Sequence, residues 1–351
     1  MRAAIFEALG QPLRIADMPE PVLGSGEVIV EVVASQVLAY AHEIFSGARN
    51  YQLQLPVVPG GGAIGRVRAI GPDSTSLAVG DWVMCDPTVR SRDNPTDIEL
   101  QGITAPTPGA QKLHAYFHDG GWAERIRIPT ENAAVLGAIA DPLRWLALGR
   151  MLVPYGGLSA IGFQAGETLV VNGATGAFGS AGVMVGLALG ARAVIATGRN
   201  EAVLAELARR LGPRVVPVVM RGDEAADRER ILAAEQAPID CVLDLLPPAA
   251  SQSQVRAAAL AVRPNGHVVL MGGVGEALQL PYAWLMRNNI TVRGQWMYPR
   301  TAIPRVVGLV RAGLIDLAQI AVTAFPLERA NDAVAHAAGH TGPFEITAVC
   351  P

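Results

Sequence analysis

The chain has 351 residues, half of them hydrophobic and 17% charged, with a formal net charge of −3. That length exceeds what one hydrophobic core usually organises and suits two domains. The near-neutral balance, with no dense Lys/Arg run, excludes the electrostatic footprint of a nucleic-acid or anionic-membrane binder. The cysteines Cys85, Cys241 and Cys350 are far apart and form no C-x-x-C pair. This excludes a disulfide framework and a cysteine-rich zinc lobe, and free thiols fit a reducing compartment. The first residues carry no apolar run of signal length, and no uncharged stretch is long enough to span a bilayer, so a cytoplasmic protein is expected.

In chain order, the first third reads as β-rich. Short strands are expected over residues 3–6, 13–15, 28–34, 65–71, 82–84 and 126–128, broken by Pro19-Glu20-Pro21 and Gly24-Ser25-Gly26. Residues 86–111 are polar and rich in Pro and Thr, and read as one long loop. From about Pro142 the texture changes. Aliphatic runs at 169–171, 193–197, 215–219, 241–245, 267–271 and 290–293 alternate with helical stretches, the pattern of a doubly wound parallel sheet. Residues 200–211 form an amphipathic helix with Val203, Leu204, Leu207 and Leu211 on one face, ended by Gly212-Pro213. Residues 304–312 read as a further helix, and 320–350 as short strands with one helix.

The segment 169–200 carries the strongest chemical signal. A buried strand leads into Asn172, Gly173, Ala174, Thr175, Gly176, Ala177, Phe178 and Gly179, a glycine-rich turn that opens a helix. Such a turn binds a pyrophosphate on the free N–H groups of the helix N-terminus, and glycines let the backbone come close. After the next strand stand Gly198, Arg199 and Asn200, where NAD sites place Asp or Glu for the ribose 2′-OH. A small residue leaves room for a 2′-phosphate and a guanidinium can hold it, so NADPH is the expected cofactor. A solvated Arg199 on a surface helix capped by Asn200 is the plainer reading of the same residues. Leu245, Leu246, Gly272 and Gly273 follow later strands at the carboxyl ends where such sheets bind ligands. Gln295 and Trp296 follow the last one. Asp244 is read as structural rather than as a base.

Further motifs run through the chain: Pro19-Glu20-Pro21, Gly26-Glu27-Val28, Pro59-Gly60, Val79-Gly80-Asp81-Trp82-Val83, Gly120-Gly121-Trp122-Ala123-Glu124 and Ala165-Gly166-Glu167-Thr168. With the Gly-Ala-Thr-Gly form of the turn, this ordered set resembles the medium-chain dehydrogenase/reductase (MDR) superfamily, in its zinc-free quinone oxidoreductase and enoyl reductase branch. The resemblance implies an α/β protein with a β-rich GroES-like catalytic domain over 1–134 and 301–351. A Rossmann domain, a doubly wound parallel sheet, would be inserted over 135–300. It also implies a homodimer in which the last Rossmann strand, near 290–295, pairs across a two-fold axis.

Zinc-dependent relatives place ligands at positions that, aligned by motif, hold Leu38, Gly61-Gly62 and approximately Gly149 here. None has a donor atom, so no metal is expected. Hydride transfer to a quinone or enone needs no metal, since a nicotinamide carries the hydride and the protein supplies orientation and a donor for the developing oxyanion. Tyr40 is the first candidate for that donor and Tyr51 the second, with His42 behind them. Each is also readable as a packed or exposed side chain. Trp296, Met297 and Tyr298 suit a flat apolar substrate or an interface equally. Three readings stay open: an NADPH-dependent quinone or enone reductase, a metal-free alcohol/carbonyl oxidoreductase, and a non-catalytic NADPH-binding protein.

Overall fold

A computed structural model describes all residues, Met1–Pro351, in two compact units. One comprises residues 1–149, 317–341 and 345–351; the other, 150–316 and 342–344.

The first unit opens with the hairpin β1 (Arg2–Ile5) and β2 (Arg14–Asp17), then β3 (Glu27–Val37), the short helix α1 (Ala41–Ser46), β4 (Ala63–Ile70) and β5 (Trp82–Cys85). β6 (Thr88–Arg90) and β7 (Ile98–Leu100) pair as a small hairpin, followed by α2 (Pro108–Phe117), β8 (Arg125–Pro129) and β9 (Ala133–Val135). The long strand β3 organises the main sheet. Irregularities at Ile29/Val30 and Val32/Ala34 bend it, and one edge pairs throughout with β4. On the other edge, Glu27–Glu31 pairs with β8. Alternation along β3 and β8 buries Val28, Val30, Val32, Ile126 and Ile128 in one cluster with Val67 and Val83.

The expected loop 86–111 is instead the β6–β7 hairpin and the start of α2. Thr107 and Pro108 read as loop formers, yet Thr107 caps α2 by accepting from the Ala110 N–H at 3.1 Å, with Pro108 in the first turn. Glu99 and His114, both fully buried, pair at 3.2 Å between this hairpin and α2.

α3 (Leu148–Ala160) leads into the second unit, whose elements are β10 (Thr168–Asn172), α4 (Ala177–Ala188), β11 (Ala193–Gly198), α5 (Glu201–Leu211), β12 (Val215–Val219), α6 (Glu224–Ala233), β13 (Cys241–Asp244), α7 (Gln252–Ala259), β14 (His267–Leu270), α8 (Tyr282–Arg287), β15 (Thr291–Gly294) and α9 (Ala302–Arg311). The six strands form one parallel sheet in the order β12-β11-β10-β13-β14-β15. This is the doubly wound Rossmann order, with its switch point between β10 and β13. β10 and β13 are buried along their whole length, which is why their central residues, Leu169–Val171 and Cys241–Leu243, read as apolar runs in the sequence.

The chain then returns to the first sheet through β16 (Ala321–Pro326), α10 (Ala330–Gly339) and β17 (Glu345–Cys350). β17 pairs antiparallel with the Ser35–Val37 end of β3 and parallel with β16. The units change at Gly149 and Asp316, later than the expected borders 134/135 and 300/301. The turn Pro142–Ala147 packs on β3 and β4, which holds it in the first unit. α9 buries Ala302, Ile303 and Val306 within the second.

Candidate active site

The carboxyl ends of β10, β11, β13 and β14 bring together most of the residues expected to meet a dinucleotide. Leaving β10, Gly173 adopts φ +87°, and a Cβ there would meet the Leu245 carbonyl oxygen at 3.2 Å. A Cβ on Gly179 would overlap the Gly173 carbonyl outright. The turn is held by the Ala174 N–H donating to Thr197 O at 2.8 Å and the Gly176 N–H to Gly173 O at 3.1 Å. α4 starts at Ala177 with Gly176 at its cap position and no side chain capping it. Its first-turn N–H groups are therefore available to an anion.

Gly198 ends β11 against Thr175, with an added Cβ only 2.5 Å from the Thr175 methyl. Arg199 is exposed and has no ion pair or hydrogen bond within the chain. Asn200 caps α5, its Oδ1 accepting from Val203 N at 3.1 Å, so its side-chain oxygen is already engaged. Beneath the turn runs a buried polar chain that sequence reasoning did not assemble. Thr197 Oγ1 donates to Asn172 Oδ1 at 2.8 Å, and Asn172 Nδ2 donates to Asp244 Oδ1 at 2.8 Å. It links three adjacent strands and orients the turn. Burial pushes the Asp244 carboxyl up to about 6, opposed by the hydrogen bonds from Asn172 and the Leu246 N–H. Leu245, Leu246, Gly272 and Gly273 sit at the same end: Leu245 N–H donates to Asn172 O at 3.0 Å, and Gly273 N–H to Leu246 O at 2.8 Å. Gln295 follows β15, with its N–H on Leu270 O at 3.1 Å. The aromatic trio after it divides, since Trp296 is 48% exposed whereas Tyr298 is buried at 2%.

In the first unit, Tyr40 precedes α1 and packs edge-on to Tyr51, ring centroids 6.2 Å apart. Arg49, unmarked by any motif, stacks its guanidinium 3.9 Å above the Tyr40 ring and pairs with Glu43 at 3.0 Å. Burial, with Tyr51 adding to it, pushes the Tyr40 phenol above the usual tyrosine range. Tyr40 therefore stays protonated near neutral pH. His42 lies on the exposed side of α1 without a partner, apart from this cluster.

The residues at the family's zinc positions do not fit a zinc ion. Leu38, Gly61, Gly62 and Gly149 offer no side-chain donor. The space is also taken, because a Cβ on Gly61 would overlap Ile103 Cδ1 and one on Gly60 would overlap the Trp122 indole. No group of three His, Cys, Asp or Glu side chains anywhere in the chain is placed to hold a metal. No helix is long and apolar enough to cross a membrane.

Residues 24–138 match the alcohol dehydrogenase GroES-like domain family, and residues 177–312 match the zinc-binding dehydrogenase family. An alcohol dehydrogenase of Geobacillus stearothermophilus is 26% identical over 338 residues, which span 95% of this chain and 94% of the relative. Among solved structures, a thermostable alcohol dehydrogenase from Pyrobaculum aerophilum superposes with a TM-score of 0.78 at 24% identity, covering 100% of this chain and 99% of the other. A structure described as a zinc-binding dehydrogenase from Sinorhizobium meliloti 1021 bound to NADP gives 0.80 at 22% identity, covering 100% and 99%. The GroES-like and zinc-binding dehydrogenase families, matched in that order on a β-rich unit and a Rossmann sheet, make the chain a member of the medium-chain dehydrogenase/reductase superfamily of oxidoreductases.

Proposed function

We propose that the protein is a zinc-independent, NADPH-dependent reductase of quinones or α,β-unsaturated carbonyls. The observation that carries this reading is the pairing of an open phosphate turn with metal positions that hold only Leu38, Gly61, Gly62 and Gly149. The NADP bound to a similar structure supports a nicotinamide at the turn. The cofactor, when bound, supplies the hydride.

The chain's own residues do the rest. Asn172–Gly179 holds the pyrophosphate, with Leu245, Leu246, Gly272 and Gly273 shaping the strand ends beside it. Arg199, free of internal partners and with no carboxylate at its place, holds the 2′-phosphate. Gln295 and Trp296 bound the nicotinamide end. Tyr40, kept protonated and braced by Arg49 and Tyr51, donates a hydrogen bond to the developing enolate or quinol oxygen, and water supplies the proton.

The second copy of a homodimer covers the open edge of the Rossmann sheet. β15 is exposed along its whole length, and α8 beside it leaves Tyr282 81% and Met286 58% exposed. The names of the relatives favour a second reading, metal-free alcohol/carbonyl oxidoreduction, with Tyr40 or His42 as the acid–base group.

EDTA-treated protein assayed with NADPH or NADH and phenanthrenequinone, followed by nicotinamide absorbance, tests the proposal. NADPH-selective turnover that survives the chelator is expected. Alcohol oxidation restored by zinc, without quinone reduction, overturns it. Sedimentation equilibrium should return twice the chain mass.

A further inference from the structure

The amino ends of β13 and β14 lie at the opposite end of the Rossmann sheet from the phosphate turn, and they frame a separate cavity of about 410 Å³. The segments 235–239 and 260–264, which lead into these strands, wall it together with α6 and α8. Its size is that of clefts which take small organic ligands. Leu232, Ile239, Leu260, Val262 and Trp284 make much of the lining apolar. Ile239 and Val262 belong to a core cluster against which Trp284 packs, whereas Leu232 stays 47% exposed.

Three charged side chains line the cavity: Arg228, Glu235 and Arg263. Two of them are committed. Glu235 Oε1 accepts from Arg192 Nη2 at 3.1 Å and from the Gln236 N–H at 3.0 Å. Arg263 donates from Nε to Asp240 Oδ1 at 2.6 Å and from Nη1 to the Pro264 carbonyl at 2.8 Å. Arg228 stands one helical turn before Leu232 on α6 and has no ion pair or hydrogen bond, its buried Nε included. An apolar wall beside one uncommitted guanidinium is complementary to an amphiphilic carboxylate. The carboxylate oxygens take the planar fork of N–H donors, and the apolar body covers the wall. Trp284 follows Tyr282 by two helical positions, so it lies on the side of α8 away from exposed Tyr282 and Met286.

We propose that this cavity binds an organic acid with one carboxylate and an apolar body, and that Arg228 holds the carboxylate through its terminal nitrogens. The site shares no residue with the phosphate turn or the Tyr40 cluster, so binding there does not require NADPH.

Calorimetric titration of the full chain with sodium octanoate, with 1-octanol as the uncharged control, tests the site. One equivalent of octanoate should bind tightest, and its affinity should fall about tenfold or more in Arg228→Gln. 1-Octanol should bind the wild type about tenfold more weakly than octanoate and be indifferent to that substitution. Leu232→Asp, which sets a like charge in the lining, should also weaken octanoate. Both side chains are partly exposed, so far-UV circular dichroism and NADPH affinity should be unchanged in both variants. Wild-type octanoate affinity in Arg228→Gln or Leu232→Asp, 1-octanol binding as tightly as octanoate, or no octanoate binding to the wild type overturns the proposal.

Discussion

Two glycine-rich segments, one in each unit, use the same residue to opposite ends. In Gly173–Gly179 the missing side chains let backbone meet backbone: Gly179 sits against the Gly173 carbonyl, and the space in front of α4 stays clear. In Pro59–Gly62 the missing side chains are replaced by the chain's own, with Trp122 over Gly60 and Ile103 over Gly61. One glycine cluster leaves the space before a helix N-terminus open, and the other is filled by side chains from elsewhere in its own unit. Glycine content alone does not distinguish them. The identity of the nearest atom does, because a carbonyl oxygen cannot yield to a new Cβ, whereas the end of an isoleucine can.

The sharpest way to break this comparison is Gly179→Ala. Its Cβ collides with main chain that cannot rotate away, so the turn should be destabilised by about 3 kcal/mol and NADPH binding lost in a fluorescence titration. Retained binding would mean that the turn is not rigid.

The polar chain beneath that turn gives a pH signature. Asp244 titrates at about 6 in the fold against an ordinary carboxyl value near 3.8. A raised carboxyl pKa means that its stability contribution is present at low pH and lost as pH rises through that window. Relative to Asp244→Asn, the wild type should lose about 1–3 kcal/mol between pH 4 and pH 7, read from urea midpoints. Parallel curves would show that Asp244 keeps its charge without cost.

At the edge of the same site, Arg199→Ala should weaken NADPH by about 1.5–3 kcal/mol and leave NADH nearly unaffected. Equal loss for both cofactors would remove Arg199 from the 2′-phosphate.

Turning to the first unit, Tyr40→Phe should lower kcat/KM for an enone about tenfold with NADPH affinity intact. An unchanged rate would return Tyr40 to packing against Arg49. The smallest effect is expected at the closed cluster: Gly61→Ala should cost about 1 kcal/mol of stability, recovered when Ile103→Val is added, in a double-mutant cycle by thermal unfolding. Additive losses would mean that Ile103 does not fill that space.

Local pattern makes much of the architecture legible. The buried runs of β10, β11 and β13 are continuous in the sequence because parallel strands are covered on both faces. α5 is legible from its spacing, its Asn200 cap and Gly212. The segment 86–111 reads wrongly as a loop because Pro and Thr signal loops on average. Thr107-Pro108 is a helix start here, and it is one only because the residues of α2 continue it. Arg49 gives no signal in the sequence, since a lone arginine between Ala48 and Asn50 has no period. Only its stacking on Tyr40 gives it a place.

By itself, then, the sequence determined the order of strands and helices, the phosphate turn and the absence of donor atoms at positions 38, 61, 62 and 149. Each of these depends on residue type and near neighbours. The tertiary structure decided what fills the space over Gly61, which residues link Thr197, Asn172 and Asp244, and where the C-terminal strands join the first sheet. These depend on contacts between residues tens to hundreds of positions apart, whose energies leave no periodic trace in the chain.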